Sequence, residues 1–249
     1  VINLSVNVNK VATLRNSRGG RVPNVLRAVE ICLAAGAPGI TVHHRADERH
    51  IRRSDVIEIS EFLGRWTGPG PSRPEFNIEG DPRPDLLELV LGVRPDQCTL
   101  VPVIPGEITS QAGWRADGDA TELRDAIARL RGSGIRVSVF IDPTREAVRW
   151  ARNVGADRVE LYTEPFARAF ERGEAAAEDS FAVYAEAAAL AHEMGLGVNA
   201  GHDLDLENLA LFRRLPHLDE VSIGHALISH ALWVGLDRSV RDYLAALAG

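Results

Sequence analysis

The sequence predicts a (β/α)8 TIM barrel with additional short helices, built as a single domain over residues 1–249. Three observations carry that expectation. Short apolar runs rich in β-branched residues alternate with longer stretches of helical period, there are eight such pairs, and reactive side chains follow the ends of several runs. Strand, helix and strand in succession require parallel pairing through a right-handed crossover. Eight units favour closure of the sheet, with an open doubly wound sheet as the competing architecture. Closure gathers the C-terminal ends of all strands around one mouth, where barrel enzymes do their chemistry.

Strands are expected at 2–8, 39–42, 76–78, 98–101, 137–141, 158–161, 197–199 and 221–223, runs too short for ordinary helices. Helices are expected at 22–35, 55–63, 84–93, 121–131, 144–154, 175–194, 206–211 and 227–247. Asp142-Pro143-Thr144 supplies an N-terminal boundary for one of them, and Gly195 a stop for another. Two connections are long. Residues 64–74, rich in Gly, Pro, Ser and Arg, read as a flexible insertion, and 102–118 as a loop placed to cover a mouth or touch a substrate.

With 45% hydrophobic and 25% charged residues, the chain has the make-up of a soluble protein with a substantial core. A net charge of −7 argues against non-specific nucleic-acid binding, so its Arg and His clusters call for small anionic ligands. Cys32 and Cys98 sit in apolar settings without metal-ligand spacing and read as reduced, buried thiols. No apolar run reaches membrane-spanning length and no signal-peptide pattern precedes the first strand, so the expected location is the cytoplasm.

The chemistry lies just after the strands. The second run ends at Val42 and is followed by His43, a proton exchanger near neutral pH, and Arg45, a fork suited to phosphate. The alternative is a charged loop that only caps the barrel. His44, Glu48 and Arg49 read as outward-facing or structural residues. Glu79 follows the third run beside Gly80; partial burial would make it a general base, while an ion pair with Arg45 would make it structural. In Val198-Asn199-Ala200-Gly201-His202-Asp203, small residues let the backbone bend an imidazole into the mouth, or His202 is bonded within a packed loop. Gly224 and His225 open the last helix, where free amides attract phosphate and where barrels commonly bind it. Near the N-terminus Asn7 and Asn9 flank Val8 and would share one side of an extended segment. Lys10 and Arg18 suit anions, or Arg15 and Arg18 serve salt bridges or subunit contacts. His192, His217 and His230 read as structural or surface residues.

Several blocks in one order carry more than any single motif. Ala12-Thr13-Leu14-Arg15-Asn16, Ile40-Thr41-Val42-His43, Arg49-His50-Ile51, Val198-Asn199-Ala200-Gly201-His202 and Ile223-Gly224-His225-Ala226 together resemble the pyridoxine 5′-phosphate synthase family of deoxyxylulose-5-phosphate-dependent vitamin B6 biosynthesis. The resemblance runs from the first strand to the final helix. It implies a barrel with extra helices, assembled as a homo-octamer and needing no metal or organic cofactor. The implied reaction condenses 3-amino-2-oxopropyl phosphate with 1-deoxy-D-xylulose 5-phosphate to pyridoxine 5′-phosphate, phosphate and water. By the same resemblance, His43 and Glu79 accept protons and His202 donates one. Asn7, Arg18, Gly224 and His225 hold the aminoketone phosphate, Arg45, His50 and Thr109 the sugar phosphate, and Asp203 lies beside the aminoketone. The chain departs from the commonest family pattern at Asn9-Lys10, where many members carry Asp-His, at Val103 in place of Glu, and at Asp203 in place of Gly. Two other functions fit the residues alone: a metal-dependent sugar-phosphate isomerase or epimerase using His43, Glu79, His202 and His225 as ligands, and a non-catalytic binder of a phosphorylated metabolite.

Overall fold

Strand and helix alternate along the chain in the computed structural model, which describes residues 1–103 and 112–249. The first half runs β1 (Asn3–Asn7), α1 (Asn9–Asn16), α2 (Val25–Ala34), β2 (Gly39–His43), α3 (Arg53–Gly64), β3 (Glu75–Gly80), α4 (Pro84–Val93) and β4 (Gln97–Leu100). The second half runs α5 (Thr121–Gly132), β5 (Arg136–Ile141), α6 (Arg145–Val154), β6 (Arg158–Tyr162), α7 (Glu164–Glu171), α8 (Glu174–Glu193), β7 (Gly197–Gly201), α9 (Leu209–Phe212), β8 (Leu218–Ile223), α10 (His225–Val234) and α11 (Leu236–Ala248). All eight strands pair in parallel and in sequence order, and β8 returns to β1, so the sheet closes. The expected barrel forms, and the open sheet is excluded.

Each strand faces two ways, with a period of two. The outer face carries fully buried Leu4, Val6, Ile40, Val42, Ile78 and Leu100 on the first four strands, with Val137, Val139, Val159 and Leu161 on the next two. Burying each such side chain is worth about 1.5–3 kcal/mol. The inner face is polar. Thr41 Oγ1 bonds Ser5 Oγ at 2.6 Å and accepts from Asn77 Nδ2, and Thr99 Oγ1 donates to Asn77 Oδ1 at 3.1 Å. Lower in the barrel Arg136 binds Gln97 and Glu75, Arg158 binds Asn199, and Asn199 donates to Glu220 Oε1 at 3.2 Å. Buried polar groups must be bonded to be tolerated, and here they bond one another around the ring.

The expected boundary signals are used. Thr144 Oγ1 caps α6 by accepting from Ala147 N, and Gly195 follows α8 at φ +74°. Cys32 and Cys98 are free and buried, and burial pushes both thiols up to about 12.

Three expectations are corrected. Asn9 does not extend the first strand: β1 stops at Asn7 and Asn9 opens α1, because Asn7 Oδ1 accepts from Asn9 N at 3.0 Å and turns the chain. The segment 227–247 is two helices, broken at Gly235 with φ +87°. Helices α1 and α7 stand where the sequence pattern predicts none, since each buries only two or three side chains.

Charge holds helix α1 in place. Arg15 forms a two-pronged ion pair with Asp55 of α3, at 2.5 and 2.9 Å, with both side chains under a tenth exposed. Its second nitrogen also donates to His50 O at 3.0 Å, and Asn16 Nδ2 donates to the same carbonyl at 2.8 Å. Arg15 therefore serves as a salt bridge, one of its expected uses. Arg15→Met leaves Asp55 a buried charge without its partner, and should lower stability by about 3–5 kcal/mol in urea unfolding. A loss under about 1 kcal/mol would show that solvent, not Arg15, balances Asp55.

Candidate active site

A cavity of about 340 Å³ opens at the C-terminal ends of the strands. Its wall includes Asn7, Asn9, Lys10, His43, Arg45 and His50 from the first and second units. Glu79, His202, Asp203, Gly224 and His225 complete the set of expected residues found there. Arg18 is exposed on the turn after α1 and is not part of this wall. Thr109 lies outside the described residues, as does much of the expected covering loop.

Glu79 stands at the centre. It is 8% exposed, and burial pushes its carboxyl up to about 7, with Ser222 opposing the rise by hydrogen bonding and Glu220 adding to it. Ser222 Oγ donates across the barrel to Oε1 at 3.5 Å, Asn7 Nδ2 donates to Oε2 at 3.4 Å, and His43 Nδ1 lies 3.9 Å from Oε2. His43 is held well below the usual imidazole range by burial first, then by the charges of His50 and Arg45. It is thus neutral at pH 7, and its Nε2 is buried without a hydrogen-bond partner among the described residues. A neutral imidazole and a carboxyl titrating near neutrality can each take up a proton.

Asn9 steadies this pair rather than merely facing it: its Oδ1 accepts from His43 N at 2.9 Å. His50 is pushed down to about 4 by burial and then by Arg45, and its Nδ1 accepts from Ile51 N at 2.9 Å. The neutral ring therefore carries its hydrogen on Nε2, a donor suited to a phosphate oxygen beside Arg45. After β8, two strands round the barrel from β2, residues 224–226 at the start of α10 line the cavity, where helix amides have no preceding carbonyl to bond. Gly224 is required there, because a Cβ would stand 3.0 Å from the Asn7 carbonyl oxygen.

His202 and Asp203 come from the turn after β7. Both have positive φ, +86° and +57°, and His202 Nδ1 lies 2.8 Å from Asp203 Oδ2. Thr163 Oγ1 donates to the carbonyls of Gly201 and His202, and Asn208 Nδ2 donates to Asp203 O at 3.0 Å. The edge of one ring meets the face of the other between Tyr162 and His202, 5.2 Å between centroids. The His202 hydrogen bond and burial act oppositely on the Asp203 carboxyl, and the hydrogen bond wins, holding it low.

Glu160 joins the site without any expectation from the sequence. It is 4% exposed on the cavity wall, and burial, then the charge on Glu79, holds its carboxyl well above the usual range. Gly201 makes room for it, since a Cβ there would sit 2.4 Å from Glu160 Oε1. A signal existed: a carboxylate flanked by Val159 and Leu161 in a strand must point opposite to both. Ser222 is a second wall residue that the sequence pattern does not single out. His192 and His217 stack at 3.7 Å and His230 pairs with Asp242 at 3.1 Å, away from the cavity, as structural or surface groups. A wider cleft of about 660 Å³ near α2 and the α10–α11 joint has Trp66, Arg27 and Arg238 on its wall but no convergent acid–base set. Among the described residues no three His, Cys, Asp or Glu side chains group closely enough to hold a metal ion.

The raised Glu79 carboxyl has a stability consequence. The folded chain holds a proton up to about pH 7 that the unfolded chain releases near 4.5. This group's contribution is therefore complete below 4.5 and is lost as pH rises through 7. Glu79→Gln removes the titration while keeping the shape. Calorimetry should find the variant melting higher than the parent at pH 8, with the difference shrinking toward pH 5. A difference independent of pH would mean that Glu79 ionises freely.

The family model described as "Pyridoxal phosphate biosynthesis protein PdxJ" matches residues 4–249. A curated pyridoxine 5′-phosphate synthase of Bacteroides fragilis is 53% identical over 241 residues, covering 96% of this chain and 97% of that protein. One from Leptospira biflexa is 50% identical over 251 residues, covering 98% and 96%. Among solved structures, 3-hexulose-6-phosphate synthase from Salmonella typhimurium superposes with a TM-score of 0.65 over 99% of both chains, at 14% identity, a likeness of fold alone. No helix among the described residues is long and apolar enough to cross a membrane. With nearly its whole length matched, this chain belongs to the PdxJ family of pyridoxal phosphate biosynthesis proteins.

Proposed function

We propose that this chain is a pyridoxine 5′-phosphate synthase acting as one barrel domain, condensing 3-amino-2-oxopropyl phosphate with 1-deoxy-D-xylulose 5-phosphate. The products are pyridoxine 5′-phosphate, inorganic phosphate and water. The observation that supports this reading best is the meeting of Glu79, His43 and His202 at one cavity between two anion-binding flanks. Two phosphates held at separate points of the wall fix the carbons between them, turning an encounter of two small molecules into a reaction within one complex.

The sequence of steps follows from the substrates. The aminoketone nitrogen attacks the sugar ketone, water leaves, and an imine forms. Proton removal from carbon converts imine to enamine, phosphate departs, and the ring closes and loses water to become aromatic. Each step moves a proton, and none needs a protein nucleophile. His43, neutral, and Glu79, half ionised near pH 7, serve as acceptors. His202 serves as donor to a departing hydroxyl. Burial and the charge on Glu79 raise the Glu160 carboxyl, which lowers the negative charge the cavity floor carries beside Glu79. Arg45 and His50, with Lys10 near them, form the sugar-phosphate flank. Gly224 and His225, with Asn7, form the aminoketone flank, to which Arg18 is assigned, with Thr109 on the sugar side. In the cell the chain works in the cytoplasm as a homo-octamer, without metal or organic cofactor.

Purified protein incubated with both phosphorylated substrates should yield the pyridine product by mass spectrometry. Its absence would sink the proposal, and a rate abolished by chelation and restored by metal would favour an isomerase-like relative. His43→Asn or Glu79→Gln should cut turnover at least about 10²-fold with the circular dichroism unchanged. Arg45→Ala should raise the KM for the sugar phosphate about 10–100-fold and change kcat less, the scale of one charge-assisted bond. An unchanged KM would reject Arg45 as the clamp.

A further inference from the structure

We propose that Asp203 is a positioning residue for His202: its carboxylate takes the Nδ1 hydrogen, turns Nε2 to the cavity and holds the ring ready to carry the proton it donates. This rests on the synthase reading above for its catalytic meaning, though not for its geometry.

Neighbouring residues in ordinary extended or helical backbone point their side chains apart. Here the two are brought together at 2.8 Å by consecutive left-handed residues, His202 at φ +86° and Asp203 at φ +57°. Neither is glycine, so the backbone is strained at both residues. The strained turn is held from two sides. Thr163 Oγ1 reaches the His202 carbonyl from the end of β6, and Asn208 Nδ2 holds the Asp203 carbonyl at 3.0 Å. Packing does not require the arrangement, because the two side chains remain 23% and 38% exposed. A carboxylate pointed at bulk water would be better solvated than one turned along a cavity that must admit phosphorylated, anionic molecules. Its orientation serves the imidazole.

An imidazole has two nitrogens, and a donor must present one of them to the substrate. With Nδ1–H bonded to Asp203, the ring is fixed in one orientation and Nε2 is the nitrogen turned away from the carboxylate. Other charged and titratable groups face this pair. Tyr162 from β6 meets the ring edge-on, with Glu164 and Asp142 acting on Tyr162 in turn. Arg168 of α7 and His225 of α10 act on Asp203. Glu79, Glu160 and His43 lie on the shared wall, with Lys10, Arg45 and His50. Within this set it is the Asp203 carboxylate that lies in hydrogen-bond reach of His202 Nδ1.

The test uses Asp203→Asn and Asp203→Gly, since Asn and Gly both tolerate left-handed backbone and should leave the turn folded. In ligand-free protein with 15N-labelled histidine, NMR should find the His202 ring as the Nδ1–H tautomer when neutral. In both variants that preference should be lost and both tautomers populated, because the acceptor that selects Nδ1–H is gone. Turnover should fall about 10-fold or more with the ring no longer held in place, while KM for the aminoketone changes less than kcat. An unmoved tautomer, or a change in KM alone, would overturn the proposal and leave Asp203 a substrate contact. If the parent enzyme forms no pyridine, the synthase reading fails by itself, and the NMR tautomer still decides the pairing.

Discussion

The withdrawal of carboxyl groups from water inside a closed, polar-lined barrel governs this structure. Strand alternation sends the apolar residues outward to the helices and leaves Asn77, Thr99, Glu160, Asn199, Glu220 and Ser222 within. A flat sheet would let such groups reach solvent on one face. Closure denies them that, so they must bond one another or give up charge. The lower layers mostly take the first course, through Arg136, Arg158, Gln97 and Asn199, although burial also pushes the Glu220 carboxyl there up to about 8. At the mouth Glu79 and Glu160 take the second and hold protons toward neutrality. The same burial lowers His43, an opposite shift for a base of opposite charge type. One physical cause thus raises the acid and lowers the base, reversing their usual order of proton affinity.

Much of this was legible in the residues. Eight apolar runs became eight strands in order, and the residues placed after them met at one cavity, because in a parallel barrel position along the strand fixes position in space. Asn9 is ambiguous in sequence, since alternation at Asn7-Val8-Asn9 looks the same whether the strand continues or Asn7 caps the following helix. Glu160 escapes notice because a strand glutamate has no local feature that distinguishes a barrel interior from solvent. Only closure decides that. Helix α1 escapes because its anchor is an ion pair to a residue forty positions away.

That anchor explains why the block Ala12-Thr13-Leu14-Arg15-Asn16 goes with Arg49-His50-Ile51. The first block contributes no side chain to the cavity wall, yet Arg15 and Asn16 hold the carbonyl of His50, and Asn16 also reaches the carbonyls of Glu48 and Arg49. A loop that lines a cavity holds its side chains in place only if its backbone is held, and carbonyls gripped by two buried or half-buried donors supply that hold. The two sequence blocks are one mechanical unit. Their joint presence signals a fixed loop more than a set of contacts.

The two ends of the mouth are prepared differently. The His43 side is stiffened from beneath: Asn9 fixes its backbone, Glu79 stands behind its ring, and desolvation sets its charge. The His202 side is stiffened by backbone strain and a neighbouring carboxylate, and it remains partly open to water. A neutral imidazole needs no counter-ion and loses little by burial, whereas a carboxylate keeps its charge only where hydrogen bonds or water replace its lost solvation. Asp203 stays within reach of both water and His202, and the hydrogen bond holds its carboxyl low. The asymmetry of exposure across the cavity therefore follows from which group carries charge, a neutral ring on the first side and a carboxylate on the second.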